Sequence, residues 1–235
     1  MSAQYPVCWL PMPMDRDKIA RIANALSGSA ATIVLGAGAS LDPANDPKSD
    51  WTPTILNMPS GGQLNSWLAR LGKMPQSDRL SLTAQYVETF EGESRVRNAI
   101  NEIFSRPIDP LLAHTFCASF AKWRRDRRDA DAGSERFRFP LFITTNYDDL
   151  LEQAFATEHI EFDLLSYDEL PPNQEVALFH TEYRNETGKL SRPKRIRNNL
   201  KYSAVSTKQR TCIVKIHGSA CRPALRSGQP AGTPS

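Results

Sequence analysis

Three short segments hold most of the side chains able to do chemistry. Gly36-Ala37-Gly38-Ala39-Ser40 follows the apolar run Ala31 to Leu35, Thr144-Thr145-Asn146-Tyr147-Asp148 follows the run from Phe137, and His217-Gly218-Ser219 follows Cys212 to Ile216. In the first, the side chains shrink to a hydrogen or a methyl, so the backbone can approach a ligand closely. Free N–H groups at such a turn suit a pyrophosphate. In the second, an amide and a carboxylate stand two residues apart, at Asn146 and Asp148; each is also well suited to cap a helix. In the third, an imidazole precedes a glycine, as a site residue or as an ordinary turn residue. The glycine turn matches only part of the dinucleotide fingerprint, because Leu41 stands where a third small residue is expected. No acidic residue closes a clear second strand about twenty residues on, which disfavours an ordinary Rossmann dehydrogenase.

The elements around these segments point to an α/β fold. Residues 31–35, 137–144 and 212–216 read as buried parallel strands, with weaker strands at 162–165 and 176–179. In an open parallel sheet, ligands sit beyond the carboxyl ends of the strands, so the three segments are expected to share one crevice. Between the first two strands lies a helical block. Residues 63–71 carry Leu64, Trp67, Leu68 and Leu71 on one face; 79–90 carry Leu80, Leu82, Ala84, Val87 and Phe90; 94–104 carry Val96, Ile100, Ile103 and Phe104. A longer helix runs from Pro110 to about residue 125. Recurrence at three and four residues places these faces in a core, with Gln85, Tyr86 and His114 read as packing residues. A helix follows Asp149 through Leu150, Leu151, Ala154 and Phe155, and another spans 15–27, capped by Asp15 and stopped by Gly28. Residues 1–14 read as an extended lead-in. The stretch 42–62, with four prolines and Gly61-Gly62, reads as a loop over the ligand.

Composition bounds the rest. At 235 residues and 40% hydrophobic, one domain with a sizeable core is expected. A net charge of +3 gives no argument for a nucleic-acid partner. The basic stretches at 122–128 and 192–201 read as solvated faces. Cys8, Cys117, Cys212 and Cys221 are widely spaced and form no C-x-x-C pair, so neither a zinc site nor a disulfide framework is expected. No leader pattern or apolar run of about eighteen residues occurs, and a cytoplasmic protein off the membrane is expected. Residues 220–235, rich in Pro, Gly and Ser, read as disordered.

Together, the three segments resemble the sirtuin-like family, in its prokaryotic branch without a zinc ribbon. Thr144-Thr145-Asn146-Tyr147-Asp148 is similar to the family's Thr-Gln-Asn-x-Asp segment, with Thr145 in place of Gln, and Lys215-Ile216-His217-Gly218 to its His-Gly segment. The resemblance implies a Rossmann-like parallel sheet flanked by helices over residues 1–219, with a helical insertion at about 63–128. NAD is the implied substrate. It would be held by Gly36, Ala37, Gly38, Ala39, Ser40, Thr144 and Thr145, with Asn146, Asp148 and His217 as catalytic residues and no metal. The implied activity is hydrolysis of the nicotinamide–ribose bond, in a prokaryotic anti-phage defence effector that acts as a homo-oligomer or with a partner defence protein. The alternatives are an NAD-dependent protein deacylase and a catalytically silent NAD-binding module. In the family, further strands follow the His-Gly segment and contact the adenosine half of NAD; here only 220–235 remain, so that side of the pocket is expected to be incomplete.

Overall fold

The computed structural model describes residues 26, 31–43, 46, 49–55, 57–74, 77–130, 138–170, 175–196 and 204–218. The lead-in, the helix at 15–27 apart from Leu26, Phe137, Arg197, Lys201, Ser219 and the 220–235 tail lie outside them.

Seven strands form one sheet: β1 (Thr32–Leu35), β2 (Leu141–Thr144), β3 (Phe162–Leu170), β4 (Glu175–Arg184), β5 (Lys189–Leu190), β6 (Lys194–Ile196) and β7 (Thr211–Lys215). Their order is β1-β2-β7-β3-β4-β5, with β6 also on β4. The first four in that order are parallel, while β4 is antiparallel to β3, β5 and β6. Connection length explains the change. Only residues 171–174 separate β3 from β4, too few for the crossover that a parallel pair needs. The last strand in sequence, β7, inserts between β2 and β3. Leu35, Thr144, Lys215 and Ser166 therefore stand abreast, and the carboxyl ends of β1, β2 and β7 form one edge.

The helices are α1 (Gly61–Leu71), α2 (Leu80–Glu91), α3 (Glu93–Phe104), α4 (Leu112–Ala130) and α5 (Leu150–Thr157). The first four make up the expected insertion between β1 and β2. Cys117, Ala118, Phe120 and Ala121 of α4 and Leu151, Ala154 and Phe155 of α5 pack on Phe142, Phe162, Leu164, Tyr183 and Ile213 of the sheet. The Phe155 ring meets Phe142 and Phe162 edge-on, at centroid distances of 5.2 and 5.8 Å, a favoured aromatic geometry. None of the helices among the described residues is long and apolar enough to cross a membrane.

Several elements depart from their sequence reading. The first strand is not buried on both faces: among the described residues it is the sheet's edge, Ile33 and Leu35 turn toward the core, and Val34 is 67% exposed. Gly61 and Gly62 do not prolong the loop but open α1, because Ser60 and Gln63 form a reciprocal capping box that fixes the first turn. Pro110 precedes α4 instead of sitting inside it. In α2 only Thr83 and Val87 are buried; Leu82 and Phe90 lie outside the core, and the Phe90 ring sits on Tyr86 at the surface. Strands β3 and β4 run well beyond the apolar residues that marked them, and β5 and β6 are new. Main-chain ladders hold these additions, and a ladder leaves no apolar period to read.

The loop after the glycine turn is tied down. Trp51 and Met58 are buried. Arg106 donates to the carbonyls of Pro53, Ile55 and Asn57, and Arg70 donates to that of Trp51. Met58 packs with Ile108 and Leu150, which fastens the loop beside the start of α5.

Candidate active site

Beyond β1, Gly36 leads into a single 3₁₀ turn, Ala37–Ser40, closed by Ala39 N donating to Gly36 O at 2.9 Å. The turn brings the Ser40 side chain into the interior. There Ser40 Oγ donates to Asp148 Oδ2 at 2.7 Å and accepts from Asn146 Nδ2 at 2.8 Å. His114 Nε2 lies 3.4 Å from the same oxygen. A hydroxyl has one proton and two lone pairs, so these three neighbours use its full capacity.

The tautomer of His114 follows. Leu111 N donates to His114 Nδ1 at 3.1 Å, so that nitrogen is unprotonated and Nε2 carries the proton toward Ser40. Burial holds the imidazole below its ordinary range, opposed by the nearby Asp148 charge, and the ring is neutral. Asp148 also accepts from Leu150 N through Oδ1, at 3.2 Å. It thus joins the start of α5 to the glycine turn. Asp149, the residue at the N-cap, makes no side-chain capping bond. Thr144 turns inward, its Oγ1 accepting from Asn146 N at 3.0 Å, and Thr145 Oγ1 lies 3.5 Å from Asn146 Oδ1. Both threonines shape the turn that carries Asn146.

On the neighbouring strand, Lys215 is fully buried. Its Nζ donates to Glu152 Oε1 at 2.9 Å, to Tyr147 O at 3.5 Å and to Asp148 O. Burial pushes the Glu152 carboxyl up, and the Lys215 ammonium pulls it back. His217 follows in the turn that leaves β7. It is exposed, and among the described residues no hydrogen bond ties it to Asn146 or Asp148. Gly218 has φ +83°, and a Cβ there would lie 2.8 Å from Tyr167 O. Only glycine lets the chain leave β7 by this route.

Ser40, Asn146 and Asp148 are therefore brought into direct contact, and His217 stands at the same edge of the sheet. Sequence reasoning missed two partners. His114 was read as packing, since one polar residue on an apolar helix face seldom signals a site. The Lys215–Glu152 pair had a readable trace, a lysine inside the apolar strand Cys-Ile-Val-Lys-Ile.

Residues 140–228 match the family model of the SIR2-like domain. This match supports a sirtuin-like domain. The matched stretch holds β2 through β7, and with them the Asn146–Asp148 turn and the Lys215–Gly218 segment; the glycine turn lies ahead of it. No curated protein matches the chain by sequence. A SIR2-like domain implies NAD as substrate, and the glycine turn fits that ligand. At Gly36 and Gly38 an added Cβ would meet no atom of the described residues within 4 Å, and neither has a positive φ. Internal packing among the described residues does not demand glycine there.

A second charged cluster lies toward the amino ends of the parallel strands. Asp163, His180 and Glu182 offer ligand atoms within 4.8 Å of one another. His180 Nε2 is 2.9 Å from Asp163 Oδ1, and Arg210 Nη1 lies 3.4 and 3.6 Å from the two carboxylates. The guanidinium sets a positive charge beside both carboxylates.

Proposed function

We propose that the chain is an NAD⁺ hydrolase that cleaves the bond between nicotinamide and ribose C1′. The observation that carries this reading is the hydrogen-bonded convergence of Ser40, Asn146 and Asp148 from two segments more than a hundred residues apart. The reaction takes NAD⁺ and water to ADP-ribose, nicotinamide and a proton. Nicotinamide departs as a neutral molecule, so the site needs no general acid of the kind ordinary glycosides require. It must hold the sugar against water and stabilise an oxocarbenium-like centre.

Each residue has a role in this reading. The turn from Gly36 to Ser40 holds the pyrophosphate. Asn146 spends one amide proton on Ser40 and keeps Oδ1 as an acceptor for water or a ribose hydroxyl. Asp148 keeps a second lone pair on each oxygen for the nicotinamide carboxamide. His217 accepts the proton released by water, a contribution typically worth ~10²–10⁴ in rate.

Incubating the purified chain with NAD, with and without an acylated peptide, tests the proposal. Nicotinamide and ADP-ribose are expected without peptide. Peptide-dependent release would instead make the protein a deacylase, and binding without release a silent module. Asn146→Ala and His217→Ala should each lower release by at least ~10²; the exposed His217 can be lost with the melting temperature retained, whereas Asn146→Ala should also lower it by a few degrees, about 2–6 °C, through the lost bond to Ser40. Wild-type rates in either would remove that residue from the reading. A role in anti-phage defence through depletion of cytoplasmic NAD belongs to the same proposal, checked by cellular NAD levels in expressing and non-expressing cells during infection.

A further inference from the structure

We infer that Lys215, paired with Glu152, is a positioning residue that sets the turn at 145–149 against β7 and so aligns Asn146 and Asp148 with the chain leading to His217. The inference rests on the hydrolase reading for its kinetic consequence and on geometry for its structural one.

The ammonium has three protons, and each is accounted for: Glu152 Oε1 at 2.9 Å, Tyr147 O at 3.5 Å, and Asp148 O. Two of the three acceptors are main-chain carbonyls of the very turn that presents Asn146 and Asp148. The third sits on the first turn of α5, which begins directly after it; a carboxylate is favoured near a helix N-terminus. Lys215 is level with Thr144, the residue that leads into that turn. One fully buried side chain thus joins the end of β7, the turn and the start of α5. Backbone sheet bonds stop at this level, with Ile216 N donating to Thr144 O at 3.1 Å. Past it, the Lys215 contacts to the carbonyls of Tyr147 and Asp148 hold the two strand ends in register. Among the described residues Glu152 Oε2 has no hydrogen-bond partner, and the carboxylate meets its counter-ion through Oε1. A pair serving stability alone has no need of carbonyl contacts, since apolar residues of similar volume often do as well or better.

Lys215→Met alone would leave Glu152 as a buried charge without a counter-ion, which is strongly destabilising. The informative variant is therefore the full chain carrying Lys215→Met and Glu152→Met together, compared with Glu152→Gln, which keeps an acceptor for Nζ. In the double variant, the melting temperature should stay within about 5 °C of wild type and KM for NAD within about threefold. The kcat for nicotinamide release should fall ~10²-fold, as a misplacement of about 1 Å can produce. Amide hydrogen exchange should quicken at 146–149 while protection within β2 and β7 is retained. Glu152→Gln strips the buried ammonium of its counter-ion and should lower the melting temperature, but Nζ keeps its three acceptors, so kcat and the slow exchange at 146–149 should be retained. A double variant with wild-type kcat and wild-type exchange overturns the inference, and so does one that fails to fold, since the pair would then serve stability alone. If the wild-type chain releases no nicotinamide, the hydrolase reading fails, and exchange at 146–149 alone judges the clamp.

Discussion

Ser40→Ala is the sharpest test of the site geometry, because one oxygen atom joins the glycine turn to the second motif. Removing it deprives Asp148 Oδ2 of a donor at 2.7 Å and Asn146 Nδ2 of an acceptor at 2.8 Å, in surroundings where both residues are buried. A hydrogen bond to a charged group is worth about 1.5–3 kcal/mol, and a buried group left unpaired costs about 1–3 kcal/mol. The two losses overlap, so a net destabilisation of about 3 kcal/mol is expected. For a chain of this size each kcal/mol moves the melting temperature by about 2–4 °C, which gives a fall of about 6–12 °C. Thermal melts followed by circular dichroism measure it directly. A double-mutant cycle with Asp148→Ala isolates the serine–carboxylate term, expected at about 2 kcal/mol. A fall of less than about 2 °C, or a coupling indistinguishable from zero, would show that Ser40 does not join the two segments and that they form no shared site.

Three other outcomes follow from the same geometry. Gly38→Ala should leave the melting temperature unchanged or slightly raised, since the added methyl meets no atom of the described residues and alanine restricts the unfolded chain. Its NAD affinity should nonetheless fall about 10–100-fold, the effect of about 1–3 kcal/mol of crowding against the pyrophosphate, as read by calorimetry. Gly218→Ala should do the reverse to stability, lowering the melting temperature by about 3–10 °C, because φ +83° and the Tyr167 carbonyl both oppose a Cβ. His114 gives a pH signature. Its folded-state value lies below the ordinary 6.5, so the neutral ring supports the fold above that pH, and the support is lost as pH falls through the folded value. His114→Gln should lack this part of the acid sensitivity, a difference read from melts of both proteins at neutral and mildly acidic pH.

Residue types and local spacing were enough to read the three motif strands, the helical insertion and the likeness to the sirtuin-like family. An apolar run that stops at small or polar residues announces a buried strand and its end, and a recurrence of three and four announces a helix face. Patterns of that kind depend on one chain segment meeting one environment. They failed where the environment was set by distant neighbours. Val34 looks like a core residue until the strand order makes β1 an edge, and β5 and β6 carry no apolar period because main-chain bonds to β4 hold them. The contacts that make a site were likewise decided in three dimensions. Ser40 meets Asp148 and Asn146, His114 turns its proton toward Ser40, and Lys215 reaches the carbonyls of Tyr147 and Asp148, each across more than sixty residues of sequence. Hydrogen bonding acts over about 3 Å, and nothing along the chain records which groups will come that close until β7 inserts between β2 and β3.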